Sequence, residues 1–281
     1  MNARNPGPGW FQGLETGDVN GAVEAIRERR TTEPRHWPQE ALDSGAVEDE
    51  SEYYEWLHTA TLAAARTAVT ERELADDQQL IHAIRSLDDC HRVTNELTER
   101  VAEWAGTHDP DARVDTEYVR EFAKRTPENP LEARLVTFAS RVVALDEETT
   151  ELRQFVEQST PEVAPNLAAL AGPELAARLI SLAGGLEALA KKPSGTVQVL
   201  GAEQSLFAHL GGSAPSPKHG VIYLHEAVRK TSADQRGSAA RALAGKLTIA
   251  ARVDHYSGEY RPELERELDE RIERIRARGG A

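Results

Sequence analysis

The residues of this chain that could do chemistry are cations placed beside turns, in the part of the sequence that follows residue 164. Lys191 and Lys192 come directly before Pro193, and Lys218 and His219 come directly before a short apolar segment. Proline favours turns, so we expect loops rather than helix centres to present these side chains. Cations on loops can follow an irregular phosphate backbone, so this placement predicts nucleic-acid binding.

Further cations lie on a long helix predicted over residues 236–254. Arg241 and Arg252 are eleven residues apart, which places them within about 20° of each other around the helix axis. The spacing therefore predicts a basic solvent face, to which we add Arg236 and Lys246 as candidates. His219 could be a packed core histidine, but in a Lys-His-Gly loop we expect it to stack on RNA or to form hydrogen bonds with it.

The sequence contains no arrangement typical of catalysis. Cys90 lies among charged residues of a predicted helix, His82 and His91 are too far apart for a helical zinc pair, and His225-Glu226 lacks the rest of a zinc-protease motif. Neither GxxxxGK[ST] nor GxGxxG occurs. The histidines of the second half have no paired carboxylate or cysteine at a defensible spacing: His209, His219, His225 and His255. We predict a protein that is not an enzyme and has no cofactor and no metal.

Charge is distributed unevenly along the chain. Residues 165–281 contain 16 basic and 13 acidic residues, whereas residues 1–164 contain 17 basic and 34 acidic ones. Such asymmetry is typical of a polyanion-binding region joined to a solvated or protein-binding one, although an uneven scatter of surface charge gives the same numbers. The 6 Lys against 27 Arg and the net charge of −14 are typical of a halophilic proteome with high internal salt, although an ordinary acidic protein from a high-GC genome gives the same composition.

Length and composition limit the remaining classes. A chain of 281 residues with one cysteine can form about two domains but not a disulfide framework. The first fourteen residues lack the apolar stretch of a signal peptide, and no apolar run approaches the ~18 residues of a membrane span. We therefore expect a cytoplasmic protein with no membrane contact.

Two segments carry a heptad pattern. Apolar or small residues recur at alternating steps of four and three from Leu80 to Ala105, with a polar middle at His91 and Thr94, and again from Leu131 to Val156. Two such helices with a broken connector predict a long antiparallel coiled-coil hairpin, whose arm is on the order of 38 Å. The seam residues could be buried only within the hairpin, but apolar flanking residues such as Leu97 widen the stripe enough for a second contact. We therefore assign a homodimer contact to apolar residues of the pattern and its flank: Leu80, Ile84, Leu87, Leu97, Val101, Leu135, Phe138, Val142, Leu145 and Leu152.

The chain thus divides into four predicted parts in a mainly α fold. Residues 1–70 are poorly patterned and predict a small N-terminal domain, residues 71–160 the hairpin, residues 161–260 an all-helical domain, and residues 261–281 a charged helix. Pro161 and Pro165 are expected to end the second hairpin helix. GTVQVLGA predicts an extended segment, and Val221-Ile222-Tyr223 a short strand.

One long stretch resembles a known family. LAARLISLAGGLEALAKKPSGTVQVLGAEQSLF, PKHGVIY and RGSAARALAGKLTIAARVDHYSGEY are similar to the Nop domain, and the match runs from Pro165 to Tyr260. LIHAIRSLDDCHRV in the first heptad segment resembles the same family. The whole is most similar to archaeal Nop scaffold proteins of box C/D guide ribonucleoproteins.

That resemblance implies partners. The Nop domain would bind kink-turn RNA together with a small ribosomal-type kink-turn-binding protein, the coiled coil would homodimerise, and the N-terminal part would hold fibrillarin. Fibrillarin would supply the chemistry, 2′-O-methylation of ribosomal RNA from S-adenosylmethionine. The present chain would only position it.

The sequence departs from the family at a loop and at both ends. The family's GAEK and ALFR are replaced by Gly201-Ala202-Glu203-Gln204 and by a segment containing Phe207, so a lysine and an arginine are missing from a loop implied to contact RNA. Residues 1–70 are shorter than the usual N-terminal domain, and a mixed-charge helix replaces the lysine-rich tail. Three alternatives therefore stay open: a spliceosomal-type Nop protein without fibrillarin, an RNA-free coiled-coil connector, and an enzyme acting on RNA.

Overall fold

The computed structural model describes residues 9–28 and 35–278, and within these residues every regular element is a helix. The α-helices are α1 Val19–Glu28, α2 Trp37–Asp43, α3 Glu50–Glu73, α4 Asp76–Ala105, α5 Thr116–Ala123, α6 Pro130–Val163, α7 Pro165–Ala171, α8 Pro173–Ala183, α9 Leu186–Lys191, α10 Ser194–Val199, α11 Glu203–Leu210, α12 Glu226–Arg229, α13 Arg236–Tyr256 and α14 Glu263–Arg278. A 3₁₀ turn covers Val221–Leu224. The prediction of a mainly α fold is confirmed.

The chain forms two compact units, one up to Ala75 and one from Asp76 onward. The division lies later than residue 70 because α3 continues to Glu73. Residues 279–281 of the predicted C-terminal helix lie outside the described part of the chain.

The first unit is built around aromatic side chains. Phe11, Tyr53 and Trp56 are buried, and Trp10 lies across them with its ring centroid 4.8 Å from that of Trp56. The Trp10 indole N–H donates a hydrogen bond to the Tyr53 hydroxyl over 3.2 Å. Aromatic rings bury much apolar area per residue, which lets few residues form a core. The residues that read as poorly patterned therefore do form a packed unit.

In the second unit, α4 and α6 pack against each other along the predicted seam. Leu80, Ile84 and Leu87 near the start of α4 share a core with Val156 near the end of α6. At the other end, Val101 lies in a second core with members of the first half of α6: Leu135, Ala139 and Val142. The two helices are thus antiparallel, and the seam buries the apolar stripe that its spacing predicts.

The middle of this pair, between the two cores, is polar. Thr94, Thr98 and Thr149 are buried there, whereas His91 is exposed although the spacing places it on the seam. The Thr149 hydroxyl donates to the Leu145 carbonyl over 2.7 Å. Among the described residues, the hydroxyls of Thr94 and Thr98 have no hydrogen-bond partner. Buried hydroxyls without partners cost free energy, so this is the weakest part of the seam.

At the far end of the pair, α5 closes the second core. Tyr118 is buried, and its hydroxyl donates to Asp109 Oδ2 over 3.0 Å. Arg125 lies 2.7 Å from the same carboxylate and places its guanidinium 4.5 Å from the centroid of Phe122. Burial and the Asp109 hydrogen bond raise the pKa of Tyr118 to about 12. We call this end, residues 97–143, the tip.

Helices α7 to α14 form the head, whose core is continuous with the base of the hairpin. Asp254 of α13 is its main polar anchor, because its carboxylate accepts hydrogen bonds from the backbone N–H groups of Asn166 and Leu167 and from the Asn166 side chain, over 2.6 to 3.0 Å. Burial raises the pKa of Asp254, while these donors oppose the rise. The anchor joins the first turn of α7 to the last turn of α13.

Polar contacts also fix the hairpin base to α8. Arg178 makes a bidentate contact with Asp88, with its Nη2 2.6 Å from Oδ1, and Arg153 Nε lies 3.0 Å from Glu174. Planar guanidinium–carboxylate pairs fix orientation as well as distance. Gly184 ends α8 in the left-handed conformation at φ 89°.

Three local predictions are wrong. GTVQV is the helix α10, because burial of Val197 in the core outweighs the extended preference of its β-branched residues. Val221-Ile222-Tyr223 forms the 3₁₀ turn instead of a strand. Pro161 lies inside α6, which continues to Val163, so Pro165 alone marks the boundary by starting α7.

Candidate nucleic-acid interface

The loop that carries Lys218 and His219 is held against the end of α10. Gln198 Nε2 donates to the Lys218 carbonyl over 2.7 Å, and the Gly220 N–H donates back to the Gln198 carbonyl over 2.8 Å. A Cβ added at Gly220 would lie 1.9 Å from the Leu200 carbonyl oxygen, so only glycine allows this approach. The loop is therefore rigidly positioned even though it has no regular structure.

His219 stacks on a tyrosine. The His219 and Tyr223 ring centroids are 4.7 Å apart with 22° between their planes, and the Arg236 guanidinium lies 5.6 Å from the Tyr223 centroid. Arg236 Nε donates to the Thr231 carbonyl over 3.0 Å, which fixes that side chain at the start of α13. Partial burial, and then the Arg236 and Lys218 charges, lower the pKa of His219. We call Lys218, His219, Tyr223 and Arg236 the stacked cluster.

The remaining predicted cations occupy two other places. Arg252 Nε donates to the Ala190 carbonyl over 3.0 Å, so this guanidinium lies beside Lys191 and Lys192 at the end of α9, where Lys191 pairs with Glu187. Arg241 is exposed in a groove beside α14. Lys246 pairs there with Glu267. The single basic face expected on α13 is thus divided between different neighbours.

The loop implied to contact RNA leads into an exposed helix. Glu203 Oε1 accepts a hydrogen bond from the Gly201 N–H over 2.8 Å, and after Ala202 the chain turns into α11, in which no residue is buried. Gln204 is exposed, and Phe207 is 69 % exposed. An exposed apolar side chain on a helix without a packed face is available for a partner or for base stacking.

The sequence and fold of this region match one family. The sequence profile described as "Nop: snoRNA binding domain, fibrillarin" matches residues 47–275. The chain belongs to the Nop family.

Individual Nop relatives agree with this assignment. A NOP5 family protein of Methanocaldococcus jannaschii is 34 % identical over 269 residues, covering 83 % of this chain and 65 % of the relative. Nucleolar protein 56 of Saccharomyces cerevisiae is 30 % identical, covering 75 % of this chain and 51 % of the relative. The chain thus spans less than two thirds of the length of these relatives.

A solved structure is similar to the whole fold. A chain of the fibrillarin/Nop5p complex superposes with a TM-score of 0.54 at 24 % identity, covering 97 % of this chain and 100 % of that chain. At this identity the likeness concerns the Nop fold and not the site.

The structure places most of the predicted dimer residues inside this Nop chain itself. Six of the ten are buried: Leu80, Ile84, Leu87, Val101, Leu135 and Val142. The other four are only partly buried: Leu97, Phe138, Leu145 and Leu152. The six contribute to the core of the chain and are not available to a second copy in this fold, which corrects their assignment. Homodimerisation itself stays a prediction.

Tyr223 is a site residue that the sequence did not indicate. His219 and Tyr223 are four residues apart, a spacing that could have indicated a shared face in a helical turn. Among the described residues, no group of three or more His, Cys, Asp or Glu side chains could hold a metal ion. No helix in residues 9–28 and 35–278 is long and apolar enough to cross a membrane.

Proposed function

We propose that this Nop protein is the non-catalytic scaffold of a box C/D guide ribonucleoprotein. The head would bind a kink-turn RNA together with a small ribosomal-type kink-turn-binding protein, and the unit up to Ala75 would hold fibrillarin. Fibrillarin would then methylate ribosomal RNA at the 2′ oxygen. This chain would only position the reactants, and holding reactants in the correct geometry lowers the activation barrier by several kcal/mol.

The stacked cluster is the observation that carries the RNA-binding part of this proposal. It brings the ammonium group and imidazole of one rigid loop together with the Tyr223 ring and a guanidinium from the start of α13, which is what recognition of an irregular RNA needs. The low pKa of His219 keeps its ring neutral near pH 7, so the ring can both donate and accept a hydrogen bond.

A composite partner surface is supported by α11. Phe207 and Leu210 are 69 % and 72 % exposed on a helix with no buried side chain. Apolar side chains exposed beside a cationic loop suit a protein already seated on RNA better than RNA alone. The loop lacks two family cations, so we expect the kink-turn-binding protein to contribute much of the affinity.

The scaffold role is supported by the fixed base of the hairpin. The Arg178–Asp88 and Arg153–Glu174 contacts hold α4 and α6 in one orientation on the head. We further propose that two copies associate through the apolar side chains that the hairpin leaves accessible: Leu97, Phe138, Leu145, Leu152 and the 48 % exposed Phe155. A dimer would set the distance between two RNA-bound heads.

The test is reconstitution with fibrillarin, a kink-turn-binding protein and a box C/D guide RNA. The variant Lys218→Gln/His219→Ala/Arg236→Gln should assemble at least about tenfold more weakly and lose target methylation in proportion. The matched control His108→Ala/Arg134→Gln/Arg141→Gln likewise removes one histidine and two cationic side chains, here at exposed hairpin positions, and should behave as wild type. Thermal unfolding verifies that both variants fold.

Each component gives a separate outcome. Unchanged assembly of the head variant would exclude the stacked cluster as the RNA surface. Assembly of RNA and kink-turn-binding protein without retention of fibrillarin would exclude the methylation scaffold and favour a Nop protein of the spliceosomal type. Methyl transfer by the purified chain without fibrillarin would overturn the non-catalytic role.

A further inference from the structure

A second cationic site lies between α13 and α14. The two helices form a groove of about 620 Å³ with Ala242, Ile249 and Ile275 among its apolar lining residues. Ile275 is buried in the head core, which fixes α14 along α13. The Lys246–Glu267 ion pair lies in the same groove and neutralises one of its two carboxylates. Glu270 is the other.

Four arginines face this groove. Arg241 comes from α13, and Arg271, Arg274 and Arg278 come from α14. All four are exposed. Within the described residues none of them forms an ion pair, and only Arg274 has a hydrogen bond, from Nε to the Glu270 carbonyl over 3.0 Å. The groove therefore carries more positive charge than its own carboxylates can balance.

A purely structural role for these arginines explains only part of the arrangement. Cations in the last turn of a helix are stabilised by the helix dipole, which accounts for Arg278 at the end of α14. Arg241 lies in the second turn of α13, towards the positive end of that helix, where the dipole gives a cation no benefit. Like charges from two helices repel each other, so their approach indicates an anionic ligand.

The spacing of the α14 arginines fits a nucleic-acid strand. Arg271, Arg274 and Arg278 are three and four residues apart, so they share one helix face. At 1.5 Å rise per residue the first and last are about 10 Å apart along the axis. Phosphates of one strand advance along the duplex axis by about 3.4 Å per nucleotide in DNA and by somewhat less in A-form RNA, so this distance matches about three to four nucleotides. Guanidinium groups can bind phosphate oxygens in bidentate geometry.

We propose that the α13–α14 groove binds the phosphate backbone of the RNA stem beyond the segment held by the stacked cluster. This inference rests on the proposed function for the presence of RNA, but it concerns different residues. The groove would provide affinity that does not depend on base sequence, because phosphate contacts carry no sequence information directly. It would also replace cations that the Gly201–Phe207 loop lacks.

The salt dependence of binding tests the groove. The full chain and its Arg271→Gln/Arg274→Gln/Arg278→Gln variant are titrated, with the kink-turn-binding protein, against a kink-turn RNA with an extended stem between 50 and 200 mM salt. Three lost phosphate contacts reduce the slope of log affinity against log salt by about 2.7. Raising the salt from 50 to 200 mM should therefore weaken binding of the variant by a factor about 40 times smaller than the factor for wild type. Glutamine keeps the helix propensity of arginine, and circular dichroism verifies α14.

The control variant Arg134→Gln/Arg141→Gln/Arg266→Gln removes the same net charge from exposed positions outside the groove and should keep the wild-type slope. Equal slopes for the groove and control variants would overturn the inference.

If the groove variant binds as wild type while the Lys218→Gln/His219→Ala/Arg236→Gln variant does not, only the groove inference fails. If neither variant loses binding, the proposed function fails as well. Loss of binding to the kink-turn-binding protein without RNA, at an unchanged RNA slope, would assign the groove to an acidic protein.

Discussion

The hairpin and the head use their arginines differently. Within the described residues, six of the nine arginines from α4 to α6 form ion pairs with carboxylates of the same chain, whereas two of the eleven from α7 to α14 do so. Arg92 is typical of the first group, because it contacts both Asp89 and Glu96. Arg241 is typical of the second, since it lies exposed beside other cations.

The difference shows which charges are available to a partner. An exposed arginine that already has a carboxylate beside it contributes little to stability and must give up that contact to bind a phosphate. An arginine without such a contact can bind phosphate at once. In a chain of net charge −14 the arginines of the head that form no ion pair therefore indicate the proposed RNA-binding side better than net charge does.

The largest expected effect comes from the loop that holds the stacked cluster. Gly220→Ala places a Cβ against the Leu200 carbonyl, so the loop must move, and we expect a loss of about 3 kcal/mol in the free energy of unfolding and at least tenfold weaker binding of the RNA complex. Gly195→Ala has no atom within 4 Å of its new Cβ and should leave both quantities nearly unchanged. Equal behaviour of the two variants, measured by urea unfolding and binding, would break the link between loop position and RNA binding.

A pH-dependent effect of intermediate size should occur at the tip. The pKa of Tyr118 is about 12 in the fold against about 10 in the unfolded chain. The unfolded chain thus loses its proton first, so the stabilisation is fully present below about pH 10 and is lost as pH rises to about 12, by roughly 2 to 3 kcal/mol. Tyr118→Phe should lack this loss in urea unfolding at successive pH values. The exposed Tyr256→Phe is the control, and a wild-type-like pH profile in Tyr118→Phe would contradict the burial of this hydroxyl.

The smallest effect concerns the polar middle of the hairpin. Thr94→Val/Thr98→Val replaces two buried hydroxyls without partners by methyl groups of similar size, and should raise the free energy of unfolding by about 1 kcal/mol per site. Thr149→Val removes a hydroxyl that is hydrogen-bonded to Leu145 and should give no comparable gain. A loss of stability in the double variant would show that these hydroxyls do have partners. RNA binding should not change, since this region lies outside the head.

The parts of the fold with regular spacing could be predicted from the sequence. The heptad positions from Leu80 to Ala105 and from Leu131 to Val156 identify α4 and α6, because a helix buries one stripe every three to four residues. The first unit could not be predicted in this way. Its aromatic core joins Trp10 and Phe11 to Trp56 across more than forty residues without any period.

Individual residues of the candidate site could be predicted from the sequence, but their arrangement in space could not. Lys218 and His219 are marked by their place in the loop and Arg236 by its place on a predicted helix, whereas Tyr223, which joins them through tertiary contacts, is known only from the structure. The α13–α14 groove needs the antiparallel packing of two helices, which no local pattern specifies. Dimer residues were overpredicted because one apolar stripe can be buried inside the chain or between chains, and spacing alone does not distinguish these cases.

One binding measurement tests the central claim that the head recognises RNA already held by another protein. The wild-type chain is titrated against a kink-turn RNA with and without the kink-turn-binding protein, at one fixed salt concentration. The account predicts that the partner strengthens binding by about 100-fold, a coupling expected for two ligands that share one surface. Equally tight binding to the bare RNA, with no change when the partner is added, would contradict it.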